Sequence, residues 1–90
     1  MAVSLSLLQA FDIALKAYSA GKLAEAEQIC LKIISADPDS AAALNLLAVI
    51  HSSLGRNDLA LASYDRALAL QPDFIQALSH RGAVLKQMKR

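Results

Sequence analysis

The sequence repeats itself at an offset of 34 residues. Pro38 and Pro72 are 34 residues apart and each is followed by an aspartate, and Gly21 and Gly55 share the same spacing. Further pairs at this offset are Ser19 and Ser53, Ala26 and Ala60, Lys22 and Arg56, Lys32 and Arg66, Ala43 and Ala77, and Leu44 and Leu78. Such a period is typical of repeat architectures, in which each unit buries its apolar face only against its neighbours.

The glycines and prolines divide each repeat into two helices joined by short loops. Gly tolerates the left-handed conformation that ends a helix, and Pro disfavours helical geometry in the residue before it. The helices predicted in this way are 7–20, 23–36, 40–54, 58–70 and 74 to the chain end. Short loops make neighbouring helices antiparallel. The alternation of apolar and polar residues that is typical of strands is absent, so the sequence predicts an all-α fold.

Three helix starts carry polar residues that favour capping. Ser6 and Gln9 have the spacing of a capping box, in which each side chain binds the other residue's backbone. Asn57 is the predicted N-cap of the fourth helix. Asp73, with Gln76 three residues later, is the predicted cap of the fifth.

Composition limits the class of protein. The chain has 90 residues, of which 56% are hydrophobic and 19% charged, with a net charge of +1. This hydrophobicity argues against disorder, and the near-zero charge gives no support to nucleic-acid binding. The single Cys allows no internal disulfide. No apolar run approaches the roughly 20 residues of a membrane span, and the N-terminus lacks the basic start of a signal peptide. We therefore expect a cytoplasmic protein without membrane association.

The repeat resembles the tetratricopeptide repeat (TPR) family, whose unit is a 34-residue helix–turn–helix. The matching residues in the unit that starts at Ala41 are Leu44, Leu47, Ala48, His51, Gly55, Ala60, Tyr64, Ala67 and Pro72. The first unit departs from the family pattern at Ala10, Cys30 and Ile33, and the third at Arg81. The resemblance implies a right-handed α-solenoid of about five helices. It comprises a leader at 1–6, units at 7–40 and 41–74, and the first helix of an incomplete third unit at 75–90.

TPR arrays hold peptides in a concave groove lined by the first helix of each unit, and the resemblance implies the same groove here. The positions are Leu8, Phe11, Leu15 and Tyr18 in the first unit, Asn45, Val49, Ser52 and Ser53 in the second, and Gln76, Ser79, Ala83 and Lys86 in the third. The first-unit residues form one helical stripe. This stripe has two possible roles. It packs into the core or under a neighbouring element, or it binds a helix or extended segment of a partner. In the second case Asn45 and Gln76 would form hydrogen bonds with the partner's backbone.

Some TPR domains bind chaperone C-termini through a clamp of Lys and Asn side chains. The corresponding positions here are Phe11, Leu15, Leu46, Gln76 and His80. None of them is Lys, Arg or Asn, so we expect no binding of chaperone tails.

The last helix has no second helix of its own unit to cover it. Leu78, Val84 and Leu85 are therefore expected to be partly exposed, and exposed apolar surface usually marks an interface. Either the chain belongs to a longer array or it self-associates. A swapped dimer, in which residues 53–57 straighten and fuse two helices, is a further form of self-association. The basic residues of this end, His80, Arg81, Lys86, Lys89 and Arg90, are expected to form a solvated tip.

No constellation of residues indicates catalysis, a metal site or a cofactor. Cys30 is expected to be a small buried residue and His51 a half-buried packing residue. The carboxylates Glu25, Glu27, Asp58 and Asp65 are expected on solvated faces. The sequence predicts a non-catalytic scaffold for a protein or peptide partner, with a homo-oligomer as an alternative. A second alternative is the substrate-guiding region of a bacterial O-GlcNAc-transferase-like glycosyltransferase, whose repeats resemble 57–74.

Overall fold

The computed structural model of the chain describes residues 6–89, and these residues form five α-helices and no strand. The helices are α1 (Leu7–Ser19), α2 (Leu23–Ala36), α3 (Ala41–Ser53), α4 (Asn57–Leu70) and α5 (Ile75–Met88). The molecule is elongated, with principal extents of 53 × 27 × 17 Å. The predicted all-α fold with five helices is confirmed. The predicted leader and the end of the last helix lie partly outside the described residues, which exclude 1–5 and Arg90.

The 34-residue period is visible in the helices themselves. The first helices of the units, α1, α3 and α5, begin 34 residues apart, and so do α2 and α4. Each helix packs on the next along the chain, and α3 also contacts α1 and α5. Gly21 and Gly55 follow the ends of α1 and α3, each with a φ of 79°. This left-handed conformation is accessible to glycine at little cost, so the predicted role of both glycines is confirmed.

The capping box at the start of α1 is present as predicted. The Gln9 backbone N–H donates to Ser6 Oγ over 3.1 Å, and the Ser6 backbone N–H donates to Gln9 Oε1 over 2.9 Å. Ser40 caps α3 in a related way, because its Oγ accepts from the Ala43 backbone N–H. The capping box of Ser6 and Gln9 thus gives hydrogen-bond acceptors to two backbone N–H groups at the start of α1 that have no partner within the helix.

The predicted caps of α4 and α5 are wrong. Asn57 is the first residue of α4, and the carbonyl of Arg56 accepts the first helical bond, from Ala60. Asp73 lies one residue too early, because the first helical bond of α5 is accepted by Phe74. Neither α4 nor α5 has a side chain bound to its first turn.

The core consists of two apolar clusters on either side of α3. The first joins α3 to the α1–α2 hairpin and contains Ala14, Ala17, Ala26, Cys30, Leu46, Leu47 and Ile50. The second joins α3 to α4 and α5 and contains Ala48, Ala60, Tyr64, Ala77 and Val84. Alanines in both clusters allow the helices to approach closely, while larger residues fill the remaining volume.

The exposure of α5 is only partly as expected. Leu78 and Leu85 are exposed, but Val84 is only 3% exposed and belongs to the second cluster. The expectation that Val84 is exposed is therefore wrong. Val84 points in the same direction around the helix as Ala77, toward α3 and α4, whereas the two leucines point to one side, about a quarter of a turn away.

Glu27 does not lie on a solvated face as expected, because its carboxylate links the first unit to the second. His51 Nε2 lies 3.0 Å from Glu27 Oε2, and Arg56 donates to the same oxygen over 3.2 Å. His51 is buried rather than half-buried. The His51 and Glu27 side chains can be buried because they pair with each other.

Candidate functional site

The apolar stripe of α1 faces solvent. Leu8 is 79% exposed, Leu15 is also exposed, and Phe11 is half-buried against the first core cluster. These three residues line an open hollow of about 570 Å³ together with Gln9, Asp12 and Ile13. Phe11 and Leu8 also line a second opening toward α3, which reaches Ser40 and Ala42. The structure therefore brings three of the four first-unit groove residues, all except Tyr18, together on an accessible, mostly apolar surface, which we call the α1 hollow.

A second concavity lies where α1, α3 and α5 converge. It has a volume of about 260 Å³ and contains the predicted Tyr18, Val49, Ser52, Ser53 and Ala83. Its other lining residues are Tyr64, His80, Val84 and Gln87. We call this concavity the C-terminal hollow. Its hydroxyl, imidazole and amide groups make it more polar than the α1 hollow. It can therefore exchange hydrogen bonds with a bound segment.

Tyr64 reaches the C-terminal hollow from α4. Burial, followed by the proximity of Tyr18, raises the pKa of the Tyr64 hydroxyl to about 12. The hydroxyl is therefore protonated at neutral pH. The ring lies 6.2 Å from that of His80, centroid to centroid. The contribution of Tyr64 and His80 to this hollow was not predicted from the sequence. Tyr64 was expected only in the packing between helices, and His80 only at the basic tip or at a clamp position.

Asn45 lies on α3 but lines neither hollow. Its residue surface is 9% exposed, and its buried Oδ1 has no hydrogen-bond partner among the described residues. Buried side-chain oxygens are usually hydrogen-bonded, so this one is an exception. The predicted Gln76 and Ser79 are exposed on α5 and, like Lys86, line neither hollow.

The Cys30 side chain is not a reactive group. It is fully buried, and desolvation, with a smaller effect of the nearby Glu27 carboxylate, raises the pKa of its thiol to about 11. The thiolate is the nucleophile, so this thiol is unreactive at neutral pH. Among residues 6–89, no three His, Cys, Asp or Glu side chains are grouped to hold a metal ion. None of the helices in the same residues is both long and apolar enough to cross a membrane.

The positions that correspond to a chaperone-tail clamp carry no Lys, Arg or Asn. Phe11 and Leu15 supply apolar surface in the α1 hollow, and Leu46 is buried in the first core cluster. Gln76 and His80 are exposed on α5.

Several solved structures share this fold. Two structures of the type III secretion translocator chaperone SycD of Yersinia enterocolitica match with TM-scores of 0.90 and 0.88 at 22% and 21% identity. They cover 97% and 96% of this chain, which spans 66% and 61% of theirs. The first TPR of Spaghetti (RPAP3), bound to the HSP90 peptide SRMEEVD, matches with a TM-score of 0.89 at 18% identity over 94% of this chain and 68% of that one.

At the level of sequence, no curated protein matches the chain. The family model of the tetratricopeptide repeat matches residues 11–73, which is most of the chain. The matched range contains α2, α3 and α4 and most of α1. The chain therefore belongs to the tetratricopeptide repeat family.

Proposed function

We propose that the chain is a non-catalytic scaffold that holds a segment of a protein partner along α1 and α3. The observation that carries the proposal is the solvent-facing apolar stripe of Leu8, Phe11 and Leu15. Large leucines that are exposed next to one another along one side of a helix are typical of binding sites rather than of a fully solvated surface.

The chemistry of the two hollows indicates the kind of segment that fits. The α1 hollow suits one or two apolar side chains of the partner. Tyr18 continues the stripe of α1 into the C-terminal hollow, where Ser52 and the protonated Tyr64 hydroxyl offer hydrogen bonds. Asn45 lines neither hollow and its Oδ1 is buried, so its hydrogen bond to a partner's backbone stays a prediction. A peptide with an apolar part and an uncharged polar part matches this division.

The known structures support a protein partner. One similar fold is a secretion chaperone and another holds a peptide. The substrate-guiding region of a glycosyltransferase, by contrast, has no support in the three structures described above and stays a prediction.

Selection of peptides from a random displayed library on the immobilised chain tests the proposal. The selected peptides are expected to carry an apolar side chain and to lose at least about tenfold in affinity when the chain carries Leu8→Ser with Leu15→Ser, because apolar anchors dominate small interfaces. Both leucines are exposed, so the fold should persist and is checked by circular dichroism. The Phe11→Ala, Leu15→Ala variant is a second test.

The matched control is Leu59→Ser, which replaces an exposed leucine of α4 that lines neither hollow. Its affinity for the selected peptides should equal that of the unchanged chain. Equal affinity of the double-serine variant, or selection of no peptide at all, would contradict the proposal.

A further inference from the structure

One face of α5 is apolar and is not covered by another described helix. We define the α5 seam as Ile75, Leu78, Gly82 and Leu85, which lie along one side of the helix; Ile75 is 75% and Leu78 50% exposed. The residues 34 positions before Leu78 and Gly82 are Leu44 and Ala48, and both are fully buried. The same helix face is therefore covered by a neighbouring helix in the second unit and open in α5.

Gly82 makes no close packing contact with the other described residues. A Cβ atom at this position would meet nothing within 4 Å, and its φ is not in the left-handed region. A glycine inside a helix costs about 1 kcal/mol relative to alanine. Its position between two exposed leucines suits a close backbone approach of a second helix, the use for which glycine is favoured.

The two leucines of the seam are nearly symmetric about Gly82. Leu78 precedes it by four residues and Leu85 follows it by three. A second α5 that crosses antiparallel at Gly82 would therefore place Leu78 of one copy against Leu85 of the other. A surface that complements itself in this way is what a two-fold symmetric contact requires.

The charges along α5 favour the antiparallel direction. Asp73 precedes the helix, whereas Lys86 and Lys89 lie at its end, and none of the three forms an ion pair with another described residue. Antiparallel crossing brings the acidic end of each copy near the basic end of the other. Parallel crossing would bring like charges together.

We propose that the α5 seam binds a second copy of this chain, so that two antiparallel α5 helices form a symmetric dimer with Gly82 at the two-fold axis. The contact does not depend on the peptide-binding function. Ala83 and Gln87, which line the C-terminal hollow, lie on another face of α5, so the dimer leaves that hollow open.

Sedimentation equilibrium of the full chain tests the dimer. A single helix pair is a small interface, so we expect the average mass to approach twice 9.6 kDa as the concentration rises from about 10 μM to about 1 mM. The Leu78→Glu, Leu85→Glu variant should remain monomeric, because it places four carboxylates at the contact. Gly82→Gln should also remain monomeric without losing stability, since its Cβ has free space and Gln favours the helix more than Gly does.

The matched control is Leu59→Glu, an exposed leucine of α4 outside the seam, which should dimerise like the unchanged chain. A mass of one chain at all concentrations would overturn the proposal and leave a helix of another protein or segment as the occupant of the seam. Dimerisation of the double-glutamate variant would also overturn it, because the contact would then lie elsewhere.

Charge exchange tests the direction and the identity of the partner. Asp73→Lys leaves both ends of the contact basic, and Lys86→Asp with Lys89→Asp leaves both ends acidic, so each variant alone should dimerise at least about threefold more weakly at low salt. An equimolar mixture of the two variants should form a heterodimer at least as readily as the unchanged chain dimerises. A mixture that associates no better than the separate variants would overturn the antiparallel arrangement.

Discussion

Glu27 is the residue whose surroundings differ most from those expected from its position in the sequence. Its carboxylate side chain is 17% exposed and accepts from both His51 and Arg56. The His51 side chain is only 9% exposed, whereas that of Arg56 is 50% exposed. A carboxylate at this depth is stabilised by its partners, and its partners depend on it in turn.

Glu27→Ala should lower the free energy of unfolding by about 1–3 kcal/mol, because it leaves the buried His51 Nε2 without its acceptor. Urea unfolding measures the change. Asp65→Ala is the comparison, since the Asp65–Arg81 pair is the exposed ion pair between α4 and α5 and should contribute at most about 1 kcal/mol. Equal losses in the two variants would contradict the view that the depth of the Glu27 pair matters.

Cys30 should make the protein less stable in alkaline solution. Burial, and to a smaller degree Glu27, raises the pKa of its thiol from 9.0 to about 11 in the folded chain. The folded state thus holds this proton more tightly than the unfolded state. The stability that the neutral thiol contributes is complete below pH 9 and is lost as the pH rises to about 11.

Urea unfolding at pH 8 and at pH 10.5, compared between the unchanged chain and Cys30→Ala, checks this effect. The variant is less stable overall because it leaves a small cavity, but its stability should fall less between the two pH values. An equal fall in both proteins would show that other groups cause the whole alkaline loss.

The elements that sequence predicts well are those fixed by local chemistry. Gly21 and Gly55 adopt the left-handed conformation, and Ser6 forms its capping box, because each of these features involves only residues that are close in the chain. Burial of Val84 and Glu27 was not predicted, since it depends on which side of one helix meets another. A repeat pattern identifies the packing positions of a unit but not the partners of each side chain.

Two glycines in different elements should respond to alanine in opposite directions. Gly55→Ala should destabilise the chain by about 1–2 kcal/mol, because a Cβ is disfavoured at a φ of 79°. Gly82→Ala should stabilise it by about 0.5–1 kcal/mol, because that glycine lies inside α5 with free space around it.

Thermal or urea unfolding of the two glycine variants at a concentration where the chain is monomeric gives the comparison. Gly21→Ala, at the equivalent turn of the first unit, should behave like Gly55→Ala. Stabilisation by alanine at either turn would contradict the role of these glycines in ending α1 and α3.

The two ends of the molecule differ in the surfaces that they present. On α3, Leu46 and Ile50 pack against the first unit, but the residues 34 positions earlier on α1 are Asp12 and Lys16, which form an exposed ion pair over 3.1 Å. At the other end, α5 presents its apolar seam. Stacking of α5 of one copy onto α1 of another would desolvate this ion pair at a cost. The surfaces thus favour a closed dimer through α5 over an open filament.

The groove as a whole should reject acidic peptides. The peptide SRMEEVD, which is bound in the similar RPAP3 structure, carries two Glu and one Asp. The positions of this chain that correspond to a cationic clamp include Phe11 and Leu15, which offer only apolar surface to a carboxylate, and Gln76, which is uncharged. Moving a carboxylate out of water costs free energy unless the carboxylate gains a cation or several hydrogen bonds.

We therefore expect no binding of SRMEEVD to this chain up to about 1 mM, a limit that corresponds to about 4 kcal/mol of binding free energy. Fluorescence anisotropy with a labelled peptide measures it, and the first TPR of RPAP3 serves as the positive control. A dissociation constant below about 100 μM would contradict this expectation, because an acidic tail would then bind without a clamp. A peptide selected by the α1 hollow should bind the same preparation, which shows that the groove is accessible and that the peptide's charge causes the rejection.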